Sequence, residues 1–205
     1  MPRPTVIRDD AILLAARQVF LRHGYQAGTA AIARRAGVSE GTIFKRFRTK
    51  HALFLAAMDV EGHERAWEEL LQGTLGRGDI RRTLTEAGDR LLARLQIITP
   101  RIMAVSGSGV TFAKCYSRAA RRPPPVEHIL ILARYFRAET AAGRLRVTAP
   151  AALAHLFVGA LSHYVFCETI FGYRSATPRA YVRHLVATVL ASATPARLLP
   201  QGVRA

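Results

Sequence analysis

The sequence predicts an all-α chain, and three observations carry that expectation. Turn-forming residues punctuate it at intervals: Gly24, Gly37, Thr49, GTLGRG at 73–78, ITPR at 98–101, RRPPP at 121–125, Gly143, TAP at 148–150, Gly172 and TP at 177–178. Between these breakers the apolar residues recur at helical spacing. No stretch alternates with period two for long enough to make a strand, so roughly nine or ten helices and no sheet are expected.

Taken in order, the first helix is expected from about Arg8 to His23, with Ile12, Ala16, Val19 and Phe20 on one stripe and Gly24 as its stop. Thr29 is placed to cap a short second helix carrying Ile32, Ala33 and Ala36, which Gly37 ends. Ser39 caps a third, Glu40 to Arg46, whose Ile43 and Phe47 point inward beside Val38. Thr49 caps a long fourth helix, from Lys50 to around Leu71. Further helices are expected at about 79–97, 101–118, 126–142, 150–171 and 178–193. The last two are rich in Ala, Leu, Val and small residues, as suits helices buried on more than one face.

Half of the 205 residues are hydrophobic, enough for a real core. Thirty Lys and Arg against 14 Asp and Glu give a net charge of +16, a balance that suits a polyanionic partner or an anionic surface. Position is more informative than the total. Residues 1–50 hold ten cations and three acids, so a quarter of the chain carries nearly half the net charge.

Cys115 and Cys167 are far apart, and the opening MPRPTVIRDD lacks the apolar core of a signal peptide, so free thiols and a cytoplasmic location are expected. Val147 to Cys167 is the longest run without Asp, Glu, Lys or Arg. Its length suits a membrane span, but Pro150, His155, Gly159, Ser162 and His163 are costly in lipid. A buried protein interface, and no membrane, is predicted instead.

Enzyme chemistry finds no footing. His155 and His163 are eight residues apart, more than the i, i+4 spacing that puts two imidazoles on one zinc. SGSG at 106–109 has neither the Walker spacing nor the G-x-S-x-G pattern, and no strand precedes it. No catalytic residue, metal or cofactor is expected.

Two short helices joined by a tight Gly-containing turn, the second with cations on its exposed face, make a helix-turn-helix. With Ile43 and Phe47 turned inward, Glu40, Gly41, Thr42, Lys45 and Arg46 fall on the outward arc, where a major groove would lie. Ser39 and Thr49 start helices, so free backbone N–H groups and positive dipole ends can meet phosphates there.

The run TAAIARRAGVSEGTIFKRFRTKHALF, 29–54, resembles the DNA-binding domain of the tetracycline-repressor (TetR) family, and AARQVFLRHGY, 15–25, is similar to that family's first helix. The segment 133–157, ARYFRAETAAGRLRVTAPAALAHLF, is similar to the regulatory half of some members. The resemblance implies an N-terminal three-helix DNA-binding domain joined by a long fourth helix to a C-terminal bundle for ligand binding and dimerisation. The expected division is 5–65 and 66–200, with the motif at about 28–47. The resemblance further implies that Thr29, Phe44, Arg46 and Lys50 contact the DNA backbone while Glu40, Gly41, Thr42 and Lys45 face base edges. Phe44 stands where the family usually has Tyr, Arg46 where His is common, and Ala30 where some members place a base-reading Arg.

The expected protein is a dimeric transcriptional repressor on a palindromic double-stranded operator, bacterial and cytoplasmic, released by a small, largely apolar or aromatic effector. Dimerisation is expected through the helices at 150–171 and 178–193. Candidate pocket residues are Trp67, Met103, Phe112, Tyr116, Tyr135, His155, His163 and Phe166, aromatic, polarizable or imidazole groups in the second domain. A constitutive, ligand-independent architectural DNA-binding protein is the alternative.

Overall fold

The computed structural model describes residues 9–59, 66–109 and 124–193, and all regular structure among them is helical. The helices are α1 (Asp9–His23), α2 (Thr29–Ala36), α3 (Glu40–Phe47), α4 (Lys50–Met58), α5 (Ala66–Gly73), α6 (Ile80–Ser106), α7 (Pro124–Ala141), α8 (Pro150–Phe171) and α9 (Pro178–Ala193). They form two compact units. The first holds α1–α4 with the last turns of α6, from Ile97 on; the second holds α5, α6 as far as Gln96, and α7–α9.

The first unit closes on the stripe expected of α1. Ile12, Ala16, Val19 and Phe20 are buried with Ile32 and Ala33 of α2, Ile43 of α3, Leu53, Phe54, Ala57 and Met58 of α4, and Val105 of α6. Phe54 meets Phe20 edge-on at 5.1 Å and Tyr25 at 4.9 Å. Asp9 and Asp10 in the first turn of α1, and Arg22 and His23 in its last, oppose the helix dipole.

In the second unit α7 packs along α8, α5 against α7, and α8 against α9. Glu139, fully buried on α7, accepts the Gly76 N–H at 2.9 Å and lies 3.1 Å from Arg144 Nε, so the turn after α5 is tied to α7. Tyr164 Oη donates to Ala176 O at 2.7 Å and Tyr181 Oη to Ala160 O at 3.1 Å, fastening α8 to the segment leading into α9 and to α9 itself.

Three expectations are corrected. The fourth helix does not run on to Leu71: α4 ends at Met58, where Asp59 takes φ 37° and closes the last turn on Leu55 O at 3.1 Å. Asp is a weak helix former that tolerates the left-handed region. The breaker expected at 98–101 is absorbed, since α6 continues through Pro100 to Ser106. A proline inside a helix costs about 3 kcal/mol, but burial of Leu95 and Ile98 before it and Val105 after it contributes roughly 1.5–3 kcal/mol for each side chain. The helix expected at 101–118 is therefore, as far as Ser106, the end of α6, and 110–118 lie outside the described residues. Finally, Gly28 and not Thr29 is the N-cap of α2, with no side-chain cap.

Candidate nucleic-acid interface

The turn between α2 and α3 is built by Gly37 and Ser39. Gly37 adopts φ 67°, which an L side chain resists, and its N–H turns back on Ala33 O and Arg34 O. Ser39 Oγ accepts the Thr42 N–H at 3.1 Å and lies 2.9 Å from Thr42 Oγ1. At the next helix start Thr49 Oγ1 accepts the Ala52 N–H at 3.0 Å. Both capping residues thus act as their spacing predicts. Between them Arg48 turns the chain at φ 56°, a strained value for a residue with a Cβ.

This frame leaves one face of α3 outside. Ile43 is buried and Phe47 half-buried, whereas Glu40, Gly41, Phe44, Lys45 and Arg46 are exposed and Thr42 is partly so. The exposed groups differ in how they are held. Arg46 pairs with Asp9 of α1, and Thr29 Oγ1 donates to Glu40 Oε2, linking the starts of α2 and α3. Lys50 Nζ sits 5.1 Å above the Tyr25 ring. Lys45 makes no ion pair among the described residues. Asp9 and Tyr25 were not legible as supports, because each lies more than twenty residues from the side chain it holds.

The six candidate pocket residues among those described are spread over buried and exposed positions. Trp67 and Tyr135 are buried in the second unit, while His155, His163 and Phe166 are exposed along α8. Met103 is half-buried on the part of α6 that belongs to the first unit, and Phe112 and Tyr116 lie outside the described residues. Burial, and next the Glu139 carboxylate, push the Tyr135 hydroxyl up to about 12, so it stays protonated. The sequence reading missed His128. It is buried on α7 with its ring 5.2 Å from that of Trp67, and burial, then the Arg94 guanidinium, hold its pKa down at about 4. Nothing in the local pattern distinguishes His128 from a solvated helix histidine; its burial comes from helices packed on α7, α5 with its Trp67 among them.

A helix-turn-helix with a cationic recognition face, carried on an all-helical chain, defines a DNA-binding regulator class. Residues 12–57 match the family described as bacterial regulatory proteins, tetR family, and residues 111–192 match the AefR-like transcriptional repressor C-terminal domain. The chain belongs to the TetR family of transcriptional regulators, which is not an enzyme family. It is 37% identical over 95 residues to YvkB of Bacillus subtilis (strain 168), an uncharacterized HTH-type transcriptional regulator. That match spans 46% of this chain and about half, 47%, of the relative. Among solved structures, one described as a TetR-family regulator from Mesorhizobium loti MAFF303099 superposes with a TM-score of 0.71 at 20% identity, over 94% of this chain and 100% of that one. A cysteine mutant of the TetR-family regulator CifR, complexed with 26-base-pair operator DNA, gives a TM-score of 0.62 at 22% identity, over 94% of this chain and 100% of that one. At these identities the structures share the fold.

Proposed function

We propose that the chain is a dimeric, sequence-specific repressor that a small, largely apolar or aromatic molecule releases from its operator. The observation that carries this reading is the exposed arc of α3, mounted between two side-chain-capped helix starts. Ser39 with the first-turn N–H groups, Thr29, Phe44, Arg46 and Lys50 take the sugar-phosphate backbone; Glu40, Gly41, Thr42 and Lys45 meet base edges in the major groove. DNA binding falls to residues 5–65, effector binding and dimerisation to 66–200. Since α4 ends at Met58, the helix that supplies side chains to both cores is α6, through Leu84 and Leu91 in one and Val105 in the other.

One such module makes few base contacts, and a two-fold dimer presents two recognition helices about 34–36 Å apart, one turn of DNA. The surface that suits this is the outer face of α8, where Leu156 is 67% and Phe171 69% exposed beside Phe166 and Ile170. The helix is long and apolar enough to cross a bilayer, but a second copy of the same face, with α9 alongside, covers it without placing His155, His163 and Glu168 in hydrocarbon. The complex of CifR with double-stranded operator DNA supports the DNA-binding part of this reading by family likeness.

A DNase footprint on the DNA flanking the gene tests it. The expected result is a symmetric protected site that an effector abolishes, and that effector must bind more weakly to the operator-bound protein. Sequence-independent coating, or an effector that binds free and DNA-bound protein equally, refutes the repressor reading.

A further inference from the structure

Trp67 of α5 and His128 of α7 are 2% and 4% exposed, and their rings meet edge to face. Among the described residues, Trp67 Nε1 and His128 Nδ1 find no hydrogen-bond partner. Two orphan polar atoms on neighbouring rings in a core are unusual, because each has lost its water and gained nothing in return. Arg94 of α6 is buried as well, and its charge reaches His128. Around these groups the same helices bury Leu71, Leu91, Leu95 and Ile131, each within one turn of Trp67, Arg94 or His128.

We propose that the second unit holds a binding site for an apolar small molecule carrying an anionic oxygen, a carboxylate or phenolate, whose head is received by Trp67 Nε1 and His128 Nδ1 in the positive field of Arg94. This rests on the reading of the chain as ligand-responsive and names the chemistry of its effector. The indole N–H only donates, so the atom facing it is an acceptor. His128, neutral near pH 7, donates from Nδ1 when its proton sits there, and the charge of Arg94 favours an anionic oxygen over a neutral one. The apolar side chains take the rest of the molecule.

Trp67 is the one tryptophan of the chain, so its fluorescence reports the site directly. The full-length protein is titrated with three carboxylates, butanoate, octanoate and phenylacetate, and with the matching alcohols, 1-butanol, 1-octanol and 2-phenylethanol. At least one carboxylate is expected to change Trp67 emission saturably and to bind about tenfold more tightly than its alcohol. His128→Leu is expected to weaken that carboxylate by about tenfold while raising the unfolding midpoint of the free protein, because an orphan nitrogen is gone. Trp67→Phe, followed by calorimetry, is expected to lose affinity similarly. Unchanged emission across the panel, alcohols binding as well as carboxylates, or full affinity in either variant overturns the proposal.

Operator release separates this site from the reading it rests on. A carboxylate that binds at Trp67 without releasing operator leaves the site standing and removes the ligand-release reading. A compound that releases operator without perturbing Trp67 does the reverse.

Discussion

Lys45 and Lys50 bracket the end of the recognition helix but differ in their surroundings. Lys45 is exposed on the outward arc, whereas Lys50 is partly buried above Tyr25 at the start of α4. Lys45→Ala should shrink the gap between operator and random DNA by about 1–3 kcal/mol. Lys50→Ala should weaken both alike and reduce the salt slope by roughly 0.9. Binding isotherms at graded salt check the pair, and a Lys50→Ala variant altered only in specificity would reverse these roles. His128 supplies a pH signature. Its native pKa of about 4 lies below the ordinary 6.5, so the unfolded chain binds the extra proton between those values. Stability is therefore unaffected by this titration above pH 6.5 and falls as pH drops toward 4, at up to roughly 1.4 kcal/mol per pH unit. Urea unfolding across that window should show a shallower slope in His128→Leu than in the parent.

At the scale of elements, Gly88 shows how α6 meets its neighbours. A Cβ there would stand 2.8 Å from Val182 Cγ1 of α9 and 3.3 Å from Phe157 Cζ of α8. Alanine is the better helix former by about 1 kcal/mol, but overpacking a filled core costs typically 1–3 kcal/mol. Gly88→Ala should therefore destabilise on balance, and Val182→Ala in the same chain should recover part of the loss, by thermal or urea unfolding. A Gly88→Ala variant more stable than the parent would show the approach to be looser. Local rules worked best where the cause is local: Ser39 and Thr49 each accept the N–H three residues on, and Gly37 ends α2 through its own backbone. They failed at Asp59, where one residue in the left-handed region ends the helix, and at Pro100, where the cost of a mid-helix proline competes with burial of side chains before and after it.

For the whole molecule, the proposed dimer rests on the exposed apolar face of α8. Leu156→Glu with Phe171→Glu alters side chains that are exposed in the single chain, so each chain should still fold. Sedimentation should then show a monomer in place of a dimer, with operator affinity falling as the paired recognition helices separate. A double variant that still sediments as a dimer would place the interface elsewhere. Leu161, five residues on from Leu156 and just as apolar, is fully buried and could not serve this test, since glutamate there would disrupt the core. Periodicity cannot separate these two leucines, because α8 is apolar nearly all round.

The sequence by itself determined the helical class, the helix-turn-helix with its caps and inward Ile43, and the concentration of charge on the first fifty residues. Each of these follows from neighbours within about one or two helical turns, where spacing alone fixes which side chains share a face. Tertiary structure alone decided what lies between distant segments: that Asp9 holds Arg46, that Tyr25 underlies Lys50, and that the last turns of α6 complete the first core. It also decided that His163 faces outward while His128 lies buried against Trp67. A histidine's exposure is set by the helices packed over it, and those arrive from elsewhere in the chain.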